Sequence, residues 1–192
     1  MPVERLRGAQ AAGLTRFAEN RVQEAENKAP LLPGVSWELV GRLQSNKVAR
    51  AVELFDSIHS VDSLELAQRI ARLASSFGRR PYPVYLQVNV DADEAKAGFT
   101  AVQVAEQAAQ LAAIDGLSIV GLMTVGRLVA DAEAARPTFR VLRELSERVR
   151  AEVPAIGAGL SMGMSDDFEV AVEEGATVVR LGRVLFGERP PA

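Results

Sequence analysis

The sequence contains no cysteine, which excludes disulfides, thiolate catalysis and cysteine-based zinc sites and fits a reducing, cytoplasmic setting. It contains one histidine, His59, so a multi-histidine metal site is excluded and any serine–histidine mechanism would depend on that residue alone. Lysine is scarce: of 22 basic residues only Lys28, Lys47 and Lys96 are lysines. No apolar run approaches the roughly 20 residues of a membrane span. The opening MPVERLRG lacks the apolar centre of a signal peptide. Net charge is −3 with both signs interleaved, so no basic stripe suited to nucleic acid is present. What remains is ordinary for a soluble globular chain, 48% hydrophobic and 24% charged. With 192 residues and no repeat or low-complexity linker, one domain over 1–192 is expected.

Along the chain, helical and strand patterns alternate. Val3 to Ala12 has helix-forming composition and stops at Gly13. Seven strand-like stretches follow, at FAEN, WELVG, SIHSV, VYLQVNV, LSIVGLMT, LSM and VVRLG, with helical patterns between them. The helical segments include RVQEAENKA, LQSNKVARAVELF, Ser63–Phe77, Thr100–Ile114, Ala130–Glu152 and Asp166–Glu174. Such alternation predicts parallel βαβ units, and an α/β barrel of the (β/α)8 type is expected, with the first strand missing and seven present. An open doubly wound sheet is the alternative.

In such barrels the site lies at the C-terminal strand ends, and the last two loops commonly hold a phosphate. Those loops are LSMGMSDDFE and RLG. Gly163 lets a backbone approach closely, and Met164–Asp167 opens a helix whose free N–H groups favour an anion. Gly182 repeats the device one strand later, and Ser161 and Ser165 add hydroxyls. Ser165 or Asp166 also reads as a helix cap, and Asp166 and Asp167 as helix-start acids rather than a metal pair. Arg180, in a β-rich run, is either a cation held beneath a ligand or an outward-facing salt-bridge partner. His59 is either a ligand contact or a locally bonded imidazole, and Lys47 either steers phosphate or pairs with an acid. Lys28 and Lys96 read as solvated surface charges.

The segments FAENRVQEA, WELVGRLQSNK, DSIHSVDS, LQVNVDADEAKAGF, GLMT, LSMGMSDDFEVAVEEGAT and VVRLGRVLFGER, in this order, resemble the pyridoxal phosphate homeostasis protein family. That family shares the fold of the N-terminal barrel of alanine racemase, and the resemblance spans essentially the whole chain. It implies a protein of intracellular homeostasis that binds pyridoxal 5′-phosphate (PLP) without established turnover, with PLP-dependent enzymes as partners and a monomer or weak dimer as its state. It places the phosphate on Ser161, Met162 and the Gly182 loop, with Gly163 and Ser165 in the same turn. Arg180 would face the pyridine nitrogen, and Asn20 and His59 would lie near the cofactor.

Two departures accompany the resemblance. The family's first strand ends in the lysine that forms the Schiff base with PLP. Here Pro2 falls where the family has the proline after that lysine, so strand and lysine are expected to be absent, through a late-assigned start or truncation, and PLP to be held noncovalently. Glu38 stands where the family usually has His after Trp37. The competing readings are a PLP racemase, a phosphosugar enzyme with Glu19, Asp91 or Asp93 as base, and a cofactor-free scaffold. Against the racemase, Tyr82 and Tyr85 fall at the start of their strand, away from the face where chemistry occurs.

Overall fold

The computed structural model describes residues 1–126 and 131–187. The expected helix from Ala130 therefore starts, and the segment VVRLGRVLFGER ends, outside the described residues.

Helix α1 (Val3–Ala11) precedes the first strand, β1 (Arg16–Glu19), and six further strands follow: β2 (Ser36–Leu39), β3 (Ser57–Val61), β4 (Tyr82–Gln87), β5 (Leu117–Met123), β6 (Gly159–Met164) and β7 (Val178–Arg180). Between and after them lie α2 (Val22–Lys28), α3 (Val48–Leu54), α4 (Leu64–Ser76), α5 (Ala101–Ala112), α6 (Arg136–Glu152), α7 (Phe168–Glu173) and α8 (Arg183–Phe186). All neighbouring strands pair in parallel, in the order β1-β2-β3-β4-β5-β6-β7. The result is a nearly closed α/β barrel with a seam between β1 and β7, which excludes the doubly wound alternative, whose strand order reverses at a switch point.

The helices form where sequence spacing demands it. In α4, Leu66, Ala67, Ile70, Ala71 and Ala74 make one buried stripe, and Ser63 caps it by accepting from the Leu66 N–H at 3.2 Å. Thr100 and Gln103 form a reciprocal capping box on α5. Helix α7 begins two residues later than its sequence pattern suggests, because Met164–Asp167 is a turn closed by Asp167 Oδ1 accepting from the Met164 N–H.

The two faces of the sheet differ. Its outer face and the helices make the apolar core, from Trp37, Leu39, Ile58, Val84, Leu86, Leu122, Leu160 and Met162 to Val48, Ile70, Leu111, Phe139 and Leu142. The inner face, one residue out of phase, carries Glu38, Ser57, His59, Tyr85 and Ser161. This polar interior leads to the site.

Candidate functional site

A cavity of about 440 Å³ opens along the seam, between β1 and β2 on one side and β7 with its following loop on the other. Phe17, Ala18, Glu19 and Trp37 form one wall, Arg180, Leu181, Gly182 and Arg183 the other, and Met164–Asp167 the upper rim. Met1 and Leu6 of the N-terminal segment and Phe186 of α8 close its back. The indole nitrogen of Trp37, Nε1, is buried with no hydrogen-bond partner. A buried donor without an acceptor costs about 1–3 kcal/mol and calls for an explanation.

Of the eight residues expected from sequence, three lie on this wall: Ser165, Arg180 and Gly182. Ser165 does not cap α7. Its Oγ accepts from the backbone N–H of Gly182 (3.2 Å) and Val184 (3.3 Å), tying the two last loops together. Those long bonds leave two amides available for a better acceptor at the cavity rim. Asp166 pairs with Arg183, and Asp167 is occupied by the Met164 N–H, so neither is a metal ligand pair.

Arg180 donates to Ser161 Oγ at 2.9 Å and to the Thr124 carbonyl at 2.8 Å. Burial pulls its pKa down to about 10, opposed by Asp167, so it remains a cation at neutral pH. The outward-facing alternative is thereby excluded: the guanidinium is fixed by neutral acceptors and lines the cavity.

Ser161 and His59 stand behind Arg180 rather than on the cavity wall. Both are fully buried. Ser161 Oγ accepts from Arg180 and lies 3.0 Å from His59 Nδ1. His59 Nε2 faces Ser57 Oγ at 3.2 Å and Glu38 Oε2 at 3.4 Å, and the acceptor-only carboxylate favours the ring proton on Nε2, which leaves Nδ1 to accept from Ser161 Oγ. Glu38 in turn accepts from Arg16 at the opposite end of the barrel, Nε at 2.8 Å. A polar chain thus runs down the interior: Arg180, Ser161, His59, Glu38, Arg16. Burial, with Arg180 and Arg16 nearby, depresses the His59 pKa to about 3, so the ring is neutral. Tyr85 packs on it with ring centroids 4.2 Å apart.

The other three expected residues are placed differently. Met162 alternates with Ser161 and points into the helix layer, where it is fully buried. Gly163 has φ 89°, and a Cβ there would sit 2.5 Å from the Ala171 Cβ, so what approaches its backbone is helix α7. Asn20, the residue after β1, lines a neighbouring pocket with Lys47.

Trp37 and Glu19 are cavity residues that sequence reasoning did not assign to a ligand. Glu19 bonds Lys28 Nζ at 2.6 Å, and burial first of all raises its pKa. Lys28, read as a solvated charge, is therefore a half-buried ion-pair partner, and Lys96 likewise donates to the Val125 and Gly126 carbonyls beside Asp91. Asp91 also accepts from Thr138 Oγ1 at 2.6 Å, and neither it nor Asp93 lines the seam cavity. Tyr82 donates to the Phe55 carbonyl and is structural.

The alanine racemase N-terminal domain model matches residues 3–190. A pyridoxal phosphate homeostasis protein of Synechocystis sp. is 38% identical over 187 residues, covering 96% of this chain and 85% of that protein. Among solved structures, PipY of Synechococcus elongatus without PLP superposes with a TM-score of 0.92 at 42% identity, covering 97% of this chain and 88% of its own. PipY with PLP bound gives 0.90 at the same identity and coverage.

Proposed function

The chain belongs to the pyridoxal phosphate homeostasis protein family, built on the alanine racemase N-terminal domain, and from that premise we propose that it binds PLP in the seam cavity and acts in the cytoplasm as a carrier or buffer of the cofactor rather than as an enzyme. One observation carries the reading: Ser165, Gly182 and Arg180 line a 440 Å³ cavity, a volume suited to a cofactor, with the Gly182 and Val184 N–H groups gathered on Ser165 Oγ.

The residues fit the group. Ser165, the Gly182 and Val184 N–H groups and Arg183 are the residues that would hold the phosphate, the two amides now donating to Ser165 Oγ being free to turn to a stronger acceptor. The phosphate contact assigned to Ser161 and Met162 from the resemblance thereby moves to Ser165. Ser161 instead holds Arg180 in place for the pyridine nitrogen. PLP supplies an electron sink when its ring nitrogen is protonated, and a guanidinium has no proton to give at neutral pH, so this partner favours storage over turnover.

Among the described residues, the cavity lining includes no lysine, tyrosine or histidine. Its acids are spoken for: Glu19 by Lys28, Asp166 by Arg183 and Asp167 by a backbone amide.

Calorimetric titration with PLP, read in parallel through Trp37 fluorescence, tests the proposal. Saturable one-to-one binding is expected, with Ser165→Ala and Arg180→Gln each weakening it about tenfold or more. Absence of saturable binding, or undiminished affinity in both variants, would discard this site.

A further inference from the structure

Beside the seam cavity, at the same C-terminal end of the strands, lies a second pocket of about 410 Å³. It is independent of the PLP reading. Its floor is apolar, from the buried side chains of Val22, Leu39 and Leu43. Its rim carries three cations, Arg21, Arg42 and Lys47, and three amide side chains, Asn20, Gln23 and Gln44. Among the described residues, no carboxylate lines it.

In a chain of net charge −3 that arrangement is unusual. Lys28 and Lys96 are both tied to carboxylates, whereas Lys47 has no ion-pair or hydrogen-bond partner for its ammonium among the described residues. Arg21 has none either, and Arg42 meets only Asp62, at 3.9 Å. Cations that are brought together without an acid repel one another, and they are stabilised by an anion from outside.

The walls are also preformed. Gly41 packs so tightly on the end of β1 that a Cβ would sit 2.2 Å from the Asn20 carbonyl oxygen. The Lys47 N–H donates to the Gln44 carbonyl at 2.9 Å, closing the far side as a tight turn. A third pocket shares Arg42, Leu43 and Gln44, but Asp62 and Glu65 neutralise it.

We propose that this pocket is a separate binding site for a small organic phosphate monoester, its phosphate held by Arg21, Arg42 and Lys47 and its body seated on Val22, Leu39 and Leu43. A dianion matches the three cations better than a monocarboxylate, and the amide groups of Asn20, Gln23 and Gln44 offer further donors.

Amide chemical-shift mapping with phenyl phosphate as probe, and inorganic phosphate as the comparator without a body, decides it. Saturable shifts at Asn20, Arg21, Gln44 and Lys47 are expected, weaker with inorganic phosphate. The paired variant Arg42→Gln/Lys47→Gln, both at accessible positions, should keep a native spectrum and lose about tenfold or more in affinity. Shifts confined to Ser165 and Gly182, shifts linear in probe concentration, or unchanged affinity in the paired variant would each overturn the proposal.

Discussion

At the scale of single residues, the interior chain from Arg180 to Arg16 turns one imidazole into a reporter. His59 is fully buried and its pKa is depressed to about 3, from 6.5 in the unfolded chain. Between those values the unfolded state binds a proton that the folded state refuses. Folding stability must therefore rise with pH across that window and fall on acidification, by about 1.4 kcal/mol per pH unit for one group. Urea unfolding at a series of pH values between 6.5 and 4 should show this slope, and His59→Gln, which keeps a polar group near Ser161 and Glu38, should remove one proton's share of it. Since there is a single histidine, its ring proton resonance is also unambiguous, and it should remain that of a neutral imidazole down to about pH 4. A midpoint near 6 would mean that the ring is not held as the hydrogen bonds imply. Arg180 is tied to the same chain, because the Ser161 hydroxyl that accepts from the guanidinium is also hydrogen-bonded to His59.

At the scale of elements, the site is set by how closely α7 lies on β6. Gly163 is the residue that permits it, through φ 89° and a bare Cα facing Ala171 and Phe168. Gly163→Ala should cost about 2 kcal/mol or more in urea unfolding, since the added methyl meets a helix on one side and a disfavoured backbone on the other. It should also weaken PLP binding, because Ser165 follows on the same turn. A stable variant with unchanged affinity would show that the turn is not what positions Ser165. The order of elements was legible in the sequence, since β-branched runs alternating with amphipathic segments admit few arrangements. The strand phase was less so. Whether Ser161 or Met162 faces the interior is settled by register, which one residue of slip reverses. Tyr85 shows the limit again: placed by its position in the strand, it belonged to the wrong end, but its ring reaches His59 in the barrel interior. Ser165 read as either a cap or a ligand hydroxyl, because the local spacing fits a cap and the loop fits an anion. Its actual partners, the Gly182 and Val184 amides, are 17 and 19 residues away and invisible to local pattern.

At the scale of the whole molecule, the cavity lies where, among the described residues, the first and last strands, β1 and β7, are not paired with each other. Strands β1 and β7 each pair on one side only. Across the gap, Arg5 of α1 donates to the carbonyl of Phe186 in α8, a bond between exposed groups. Edges joined this weakly open more easily than the fully paired β3–β4–β5 region, where local unfolding must break strand pairing on both sides. A ligand bridging Ser165, Arg180 and the β1–β2 wall links the two edges and stabilises only the closed form. At a hundredfold excess over the dissociation constant the gain is about 2.7 kcal/mol, or roughly 5 to 10 °C in Tm for a chain of this size. Hydrogen exchange with and without PLP should locate that gain. Protection should grow most in α1, β1, β7 and α8 and least in β4 and β5. Uniform protection throughout would indicate a barrel that opens as one unit, whereas protection centred on β4 and β5 would place the ligand away from the seam.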